Sequence, residues 1–243
     1  MAEILKPFLT AEWRYLAMLN YEIDPEVLAP YVPTGTELDI FEGKMYVSIV
    51  GFLFLKTKLM GIPVPFHRNF EEINLRFYVK RNAPDGVRRG VVFIKEIVPR
   101  AAIAYVARKY YNEPYVSRAM RHSVERDEQT GAMKVDYAWF EKHPDFSYLS
   151  VNVRGAAALP SAGSLEEFIA EHYWGYTAQK DGSTMEYRVE HTPWRTWSAK
   201  HCHLDCYVNL SYGPQFYSTL SKKPNSALLA EGSPVTVYRG VKI

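Results

Sequence analysis

The sequence predicts a mainly β protein of the α+β class, in which an antiparallel sheet or barrel carries a few short helices. The 243 residues include 18 Tyr, 12 Phe and 5 Trp, and aromatic residues are favoured in strands. Segments that alternate apolar and polar residues, or run apolar at strand length, outnumber helical segments along the chain. Because strand-like segments outnumber helical ones, an antiparallel sheet is favoured over a doubly wound fold. Without an evident linker, residues 1–243 are interpreted as one domain.

Turn and cap residues delimit the predicted elements. Asp24 as N-cap, Pro25 at the first helical position and Glu26 in the first turn predict a short helix. A second helix is predicted after Ser164, because Glu167 completes a capping box. The turn 82–86 joins two strands into a hairpin over 73–98. Strands are predicted over 44–55, 73–80, 90–98, 135–140, 148–154, 185–190, 202–208 and 234–238, and a short helix over 213–220.

Charge and cysteine content restrict the partners and the compartment. The 29 basic and 27 acidic residues give a net charge of +2, and no basic block indicates nucleic acid as a partner. No segment approaches the roughly 20 apolar residues that span a bilayer, so no membrane partner is predicted. With two cysteines and no secretory leader, the expected location is the cytoplasm.

Three strings in the chain resemble an uncharacterised bacterial family, the DUF2071 or YqjF-like proteins. They are PVPFHRNFEEINLRFYV (63–79), EHYWGY (171–176) and EGSPVTV (231–237). That family is in turn similar to acetoacetate decarboxylase, through the segments 21–39 and 107–114. The resemblance implies a cone-like barrel with a ligand pocket at its mouth, and it is compatible with a homo-oligomer.

The resemblance also identifies a missing catalytic group. In the decarboxylases the first lysine after the proline matching Pro114 forms a Schiff base, and a second lysine lowers its pKa. Tyr115 and Val116 occupy those positions here. A phenol cannot form an imine, and acetoacetate decarboxylase is itself the reference example of a lysine activated by a second cation. We therefore predict that the protein is not a Schiff-base decarboxylase, with Lys95 and Lys109 as the alternative positions for a relocated lysine.

Other matched positions retain polar groups. Arg14 resembles the arginine near the decarboxylase substrate carboxylate, and Glu72 or Glu71 resembles a pocket glutamate. We expect Arg14, Glu72 and the Tyr115 segment to approach one another. The dense run His67, Arg68, Asn69, Glu71 and Glu72 offers an anion-binding fork and proton-exchanging groups, although it could equally be an ion-paired strand entrance.

Further candidates lie beside aromatic residues. His172, Tyr173 and Trp174 could wall a pocket or simply pack a helix end on the barrel. Arg108 and His122 flank the segment that has lost the lysines. The segment 201–206 contains Cys and His residues, but strand geometry places Cys202 and Cys206 about 13 Å apart, so no metal and no cofactor is predicted.

The sequence leaves two function classes open. The first is a non-imine enzyme that acts on a small oxo acid or similar anion by acid–base catalysis. The second is a non-catalytic protein that binds a small ligand, with an oligomeric structural or interaction role as a further alternative. Whether the protein is an enzyme stays undecided at this stage.

Overall fold

The computed structural model describes residues 6–142 and 145–243 and confirms the predicted β class. Its strands are β1 (Pro7–Glu22), β2 (Glu37–Leu38), β3 (Tyr46–Leu59), β4 (Ile62–Pro63), β5 (Phe70–Ala83), β6 (Gly86–Val98), β7 (Tyr115–Ser117), β8 (Met120–Asp127), β9 (Ala132–Lys142), β10 (Asp145–Arg154), β11 (Trp174–Ala178), β12 (Thr184–His191), β13 (Thr196–Ser198), β14 (His201–Asp205), β15 (Ser226–Ala230), β16 (Pro234–Tyr238) and β17 (Val241–Lys242). The helices are α1 (Pro25–Leu28), α2 (Ala101–Tyr111), α3 (Leu165–Ala170), α4 (Val208–Ser211) and α5 (Tyr217–Leu220), with 3-10 turns at Ala29–Tyr31 and Pro214–Phe216.

Seven of these strands close into a barrel in the order β1-β16-β12-β11-β6-β5-β3, and pairing of β3 with β1 completes the ring. The pairs are antiparallel except for the short parallel contact of β11 with β6. Closure leaves no open edge among the seven strands, so their inward residues enclose a common interior.

A second sheet of four strands, in the order β14-β10-β9-β8, packs on the outside of the barrel. The buried Tyr137 donates its hydroxyl to the Tyr15 carbonyl at 2.9 Å. Gly51 allows this approach, because a Cβ there would lie 2.7 Å from the Tyr137 ring. Close packing of this kind fixes the outer sheet against β3.

The two ends of the barrel differ. We call one end the open end. There β3 ends, β5 begins and β6 leads into α2. At the other, the closed end, the Ser48 hydroxyl donates to Asn20 Oδ1 at 2.6 Å and lies 2.5 Å from the Tyr78 hydroxyl. Phe168 from α3 packs against Tyr78 there, with ring centroids 5.2 Å apart.

Several predicted elements match the structure. The hairpin is formed by β5 and β6, and Ser164 caps α3 by accepting a hydrogen bond from the Glu167 amide at 3.2 Å. The predicted strand over 202–208 is wrong in its second half, because β14 ends at Asp205 and α4 begins at Val208. Strands β1 and β8 and helix α2 were not predicted from the sequence. No helix among the described residues is long and apolar enough to cross a membrane.

Candidate functional site

A cavity of about 280 Å³ occupies the barrel interior. Its walls are mainly apolar, and α2 contributes Ile103 and Val106 at the open end. This volume lies just below the range of roughly 300–1,000 Å³ that is typical of small-molecule sites, so the cavity suits a small ligand.

Strand alternation on β5 directs polar side chains into this cavity. Phe70, Glu72, Asn74 and Arg76 all line it, as expected for residues two apart on one face of a strand. Glu72 is 2% exposed and Arg76 is 7% exposed. The ambiguity between Glu71 and Glu72 is thereby resolved, since only Glu72 faces inward.

A β-bulge on β6 supplies the second carboxyl group. Val91 and Phe93 face the cavity, and unbroken alternation would turn Lys95 inward as well. The register instead shifts between the pairs Arg76–Phe93 and Leu75–Lys95. Such a shift reverses which residues face inward, so Glu96 lines the cavity and Lys95 points away from it.

The third carboxyl group comes from the loop after α2. Asn112 ends the helix in the left-handed conformation, with φ of 56°. Glu113 follows it, and Pro114 leads into β7, which pairs with β6 so that Tyr115 lies beside Glu96. We call Glu72, Glu96 and Glu113 the carboxyl cluster; each is at most 5% exposed.

Hydroxyl and amide donors surround the cluster. Glu72 accepts from the Tyr115 hydroxyl at 3.0 Å and from Asn74 Nδ2 at 3.0 Å. Glu113 Oε1 accepts from the Tyr187 hydroxyl and from Thr177 Oγ1, both at 2.8 Å. Among the described residues, Glu96 Oε2 has no hydrogen-bond partner.

Gly175 makes room for one of these donors. A Cβ at this position would lie 2.1 Å from the Tyr187 ring. Tyr187 can therefore reach Glu113 only because the neighbouring strand carries a glycine at that point.

Burial shifts the ionisation of the cluster. The pKa of Glu72 is raised to about 7, chiefly by desolvation; hydrogen bonds from Asn74 and Tyr115 oppose this shift, and the charge of the nearby Glu113 adds to it. Desolvation and the carboxyl groups of Glu113 and Glu72 hold the pKa of Glu96 well above its usual range. The pKa of Tyr115 is also raised, first by burial and then by the cluster. Loss of hydration disfavours a charged carboxylate, and like charges add to that effect.

The positive charge in the lining lies at Arg76, towards the closed end. Arg76 Nη2 donates to the Ile169 carbonyl at 3.2 Å, and its Nε has no hydrogen-bond partner among the described residues. His172 lies nearby, and burial together with Arg76 and Arg89 lowers its pKa well below the usual value. His172 is consequently neutral, which leaves the Arg76 guanidinium as the group suited to an anion.

Aromatic side chains form the wall nearest the open end. Trp13 packs edge-on against Phe52 and Phe54, with centroids 5.3 and 5.7 Å apart, and Phe54 stacks on Phe70 at 4.7 Å. Trp194 lies 6.2 Å from Trp13. We call these five residues the aromatic wall. Trp13 Nε1 is buried without a hydrogen-bond partner among the described residues.

Five of the residues selected from the sequence line the cavity: His67, Glu72, Tyr115, His172 and Trp174. The expectation that Arg14, Glu72 and Tyr115 converge is only partly met. Glu72 and Tyr115 are hydrogen-bonded, but the placement of Arg14 is wrong. Arg14 follows the inward-facing Trp13, so it points outward and pairs with Glu12 at 3.0 Å.

The remaining selected residues make contacts outside the cavity. Glu71 pairs with His122 at 2.7 Å, and Arg108 donates to the Tyr115 carbonyl at 3.4 Å. Asn69 accepts from the Lys56 amide at 2.9 Å, while the Arg68 side chain is exposed. Tyr173 donates to Glu171 and stacks on His191.

Sequence reasoning missed Asn74, Arg76, Glu96, Glu113 and Tyr187. Alternation from Glu72 along the predicted strand could have identified Asn74 and Arg76. No lysine is present in the described lining, and the described residues contain no group of three side chains that could hold a metal ion.

Comparisons with known proteins agree with this fold. The enduracididine biosynthesis enzyme MppR complexed with pyruvate superposes with a TM-score of 0.70 at 14% identity, covering 99% of this chain and 92% of that one. Acetoacetate decarboxylase from Legionella pneumophila gives a TM-score of 0.65 at 13% identity, covering 97% and 87%. These structures confirm the acetoacetate decarboxylase-like fold that the sequence resemblance implied.

Sequence comparison identifies the family. The uncharacterized protein YqjF of Bacillus subtilis (strain 168) is 25% identical over 191 residues, which are 77% of this chain and 74% of that protein. The model of DUF2071, described as an uncharacterized conserved protein, matches residues 10–234. The chain therefore belongs to the DUF2071 family.

Proposed function

We propose that the cavity catalyses proton transfer next to the carbonyl group of a small organic molecule, without forming an imine. The observation that carries this proposal is the pairing of two unequal carboxyl groups in one apolar cavity. The pKa of Glu72 is raised to about 7, while that of Glu96 is raised well above its usual range. A general base works best when its pKa lies near the working pH.

The two carboxyl groups would take different roles. The ionised Glu72, oriented by Asn74 and Tyr115, removes a proton from the carbon beside the carbonyl group. The protonated Glu96, whose Oε2 has no partner among the described residues, donates a hydrogen bond to the enolate oxygen. A known ketone-enolising enzyme likewise combines a carboxylate base with a protonated carboxylic acid that donates a hydrogen bond to the oxyanion.

The step balances without a further reactant. The C–H electron pair becomes the enolate C=C bond, the carbonyl electrons move to oxygen, and the proton resides on Glu72. Return of that proton to the same carbon regenerates the substrate, whereas protonation of the oxygen gives the enol.

The walls of the cavity indicate the substrate class. The aromatic wall begins at Phe70, the inward residue immediately before Glu72 on β5, so a ring packed there would place an adjacent carbonyl group at the cluster. Arg76 follows on the same face of β5 and acts on Glu72 through its charge, so its guanidinium is the group available to the acidic substituent of a substrate. MppR, which shares the fold, has been crystallised with pyruvate, and this supports an oxo acid as the substrate. We infer a ring-bearing oxo acid in preference to pyruvate itself.

Deuterium exchange tests this proposal. Phenylpyruvate and pyruvate are incubated with the protein in D₂O, and loss of the C3 proton signal is followed by NMR. We expect exchange of phenylpyruvate to be accelerated and E72Q to lower the rate by at least about 100-fold, the usual contribution of a general base. E71Q is the matched control, because Glu71 is adjacent in sequence but pairs with His122 outside the cavity.

Two outcomes would contradict the proposal. Equal loss of activity in E71Q and E72Q would remove the assignment of the base. Binding of phenylpyruvate without exchange above the protein-free rate would favour the non-catalytic ligand-binding alternative. Sodium borohydride with pyruvate should leave the mass of the chain unchanged, because the described lining has no lysine, and a trapped adduct would contradict the absence of an imine.

A further inference from the structure

Two segments surround the open end of the barrel. The first, 56–69, runs from the end of β3 through β4 to the start of β5, and the second, 99–112, contains α2. Antiparallel pairing of β5 with both β3 and β6 brings them to the same end. Leu59, Val64 and His67 from the first segment and Ile103 and Val106 from the second line the cavity. The two segments thus border its entrance.

Large apolar side chains of the first segment project into solvent. Met60 and Ile62 are each 67% exposed, and Phe66 is 89% exposed, the highest value among the large hydrophobic residues of the described chain. Met60 and Phe66 also have positive φ angles, 48° and 62°, an unfavourable conformation for non-glycine residues. Tyr105 of α2 is 56% exposed. A cluster of exposed apolar side chains at a cavity entrance indicates an interaction surface.

The charge of these segments is one-sided. They contain six basic residues and no acidic one, although the whole chain has 29 basic and 27 acidic residues. Lys56 is paired with Glu12 at 2.6 Å. Arg100 lies near Glu71, and its charge contributes to lowering the pKa of that carboxyl group. The other basic residues of the segments have exposed side chains: Lys58, Arg68, Arg108 and Lys109.

We propose that the open end docks on an anionic phospholipid surface. Met60, Ile62 and Phe66 enter the interface between headgroups and acyl chains, while the basic residues around them contact anionic headgroups. Peripheral membrane binding combines buried apolar side chains with this electrostatic attraction. It requires no spanning helix, and it departs from the prediction of no membrane partner, which depended only on the absence of a bilayer-spanning segment.

The charge pattern disfavours a second copy of the chain as the occupant. A two-fold contact places the same patch on both sides of the interface. Lys58, Arg68 and Arg108 would then face their own counterparts without acidic partners from these segments. An anionic surface complements the same charges.

Vesicle sedimentation tests the proposal with the full chain. Binding is measured to vesicles of phosphatidylcholine alone and of phosphatidylcholine with phosphatidylserine. We expect binding to the phosphatidylserine vesicles that weakens as salt is raised, and at least a tenfold lower partition coefficient for the double variant I62S/F66S. The charge-reversal variant K58E/R68E should lose the preference for phosphatidylserine.

Val87→Ser is the matched control. Val87 is 60% exposed but lies in the β5–β6 hairpin beyond the closed end, so its removal should leave binding unchanged. Far-ultraviolet circular dichroism of each variant verifies folding. Absence of wild-type binding to phosphatidylserine vesicles, or an equal loss in V87S, would overturn the proposal. Since no carbonyl compound takes part, this result is independent of the proposed proton transfer.

Discussion

The barrel contains two sets of buried carboxyl groups with opposite surroundings. Glu186, 1% exposed in its side chain, is held by two arginines, with Arg81 at 3.0 Å and Arg88 at 2.5 Å. Glu72, Glu96 and Glu113 are similarly buried, but among the described residues their hydrogen-bond partners are hydroxyl, amide and carboxyl groups. Arg76 acts on Glu72 only through its charge.

This difference separates a structural acid from reactive ones. A buried carboxylate between two arginines is satisfied, and Arg88 is further fixed by Asp85 and by its position 4.1 Å over the Trp174 ring. A buried carboxyl group without a contacting cation lowers its energy by keeping a proton. Carboxyl groups that exchange protons near neutral pH occur more often at functional sites than in structural ion pairs.

Replacement of the structural acid should have the largest effect on stability. Glu186→Gln leaves two arginines without their charged partner, and we expect the free energy of unfolding to fall by about 3 kcal/mol, the lower end for breaking a buried ion pair. Urea denaturation at pH 7 measures this change. A loss below about 0.5 kcal/mol would show that the arginines are stabilised by other groups.

A steric change next to the cluster should have the second largest effect. Gly175→Ala forces the Tyr187 ring away from its position, and overpacking of this kind costs about 2 kcal/mol. Tyr187→Phe removes only the hydroxyl and serves as the comparison. If G175A and Y187F destabilise the protein equally, the steric explanation is wrong.

The pH dependence of stability distinguishes the two sets directly. A carboxyl group with a raised pKa keeps its proton when folded and loses it when unfolded, so stability is lost as the pH rises. Between about pH 5 and pH 7 the wild type should lose up to about 1.4 kcal/mol per pH unit for each proton that Glu72 and Glu96 keep in the folded state, and the contribution of Glu72 should end near pH 7.

Glu96→Gln should remove the Glu96 part of this loss and leave the variant more stable than the wild type at pH 7, because the amide resembles the protonated acid but has no proton to release on unfolding. Thermal unfolding at the two pH values measures both effects. A wild type and an E96Q variant with the same slope would contradict the assignment of a protonated Glu96.

Removal of a single hydrogen bond should have the smallest effect. Tyr115→Phe deletes the donor to Glu72, which typically costs about 1 kcal/mol. Because this bond lowers the pKa of Glu72, the pH midpoint of the exchange reaction should move upward. A midpoint that moves downward would place Tyr115 in another role.

Sequence patterns predicted the elements whose packing is local. The hairpin of β5 and β6 and the cap at Ser164 depend on turn and capping chemistry that is visible in a few neighbouring residues. Strand β1 was missed because residues 16–21 are buried on both faces and the register shifts near Tyr15, which has a φ of 55°. The alternation of apolar and polar residues that identifies a strand is therefore not visible in this part of the sequence.

The site was predictable only in part for related reasons. Glu72 and Tyr115 were found, but the bulge on β6 replaces Lys95 with Glu96, and a one-residue shift has no clear sequence signal. Glu113 and Tyr187 meet through tertiary structure alone. Arg14 was placed by resemblance, and the outward direction of its side chain became evident only from β1.

Infrared spectroscopy of the protein tests the central claim most directly, because a neutral carboxyl group absorbs apart from a carboxylate. We expect a band from protonated carboxyl groups at pH 7 that decreases in E96Q and persists in E186Q. Absence of this band in the wild type would show that the carboxyl cluster is fully ionised. That result would contradict the division between paired and proton-holding acids on which the proposed chemistry depends.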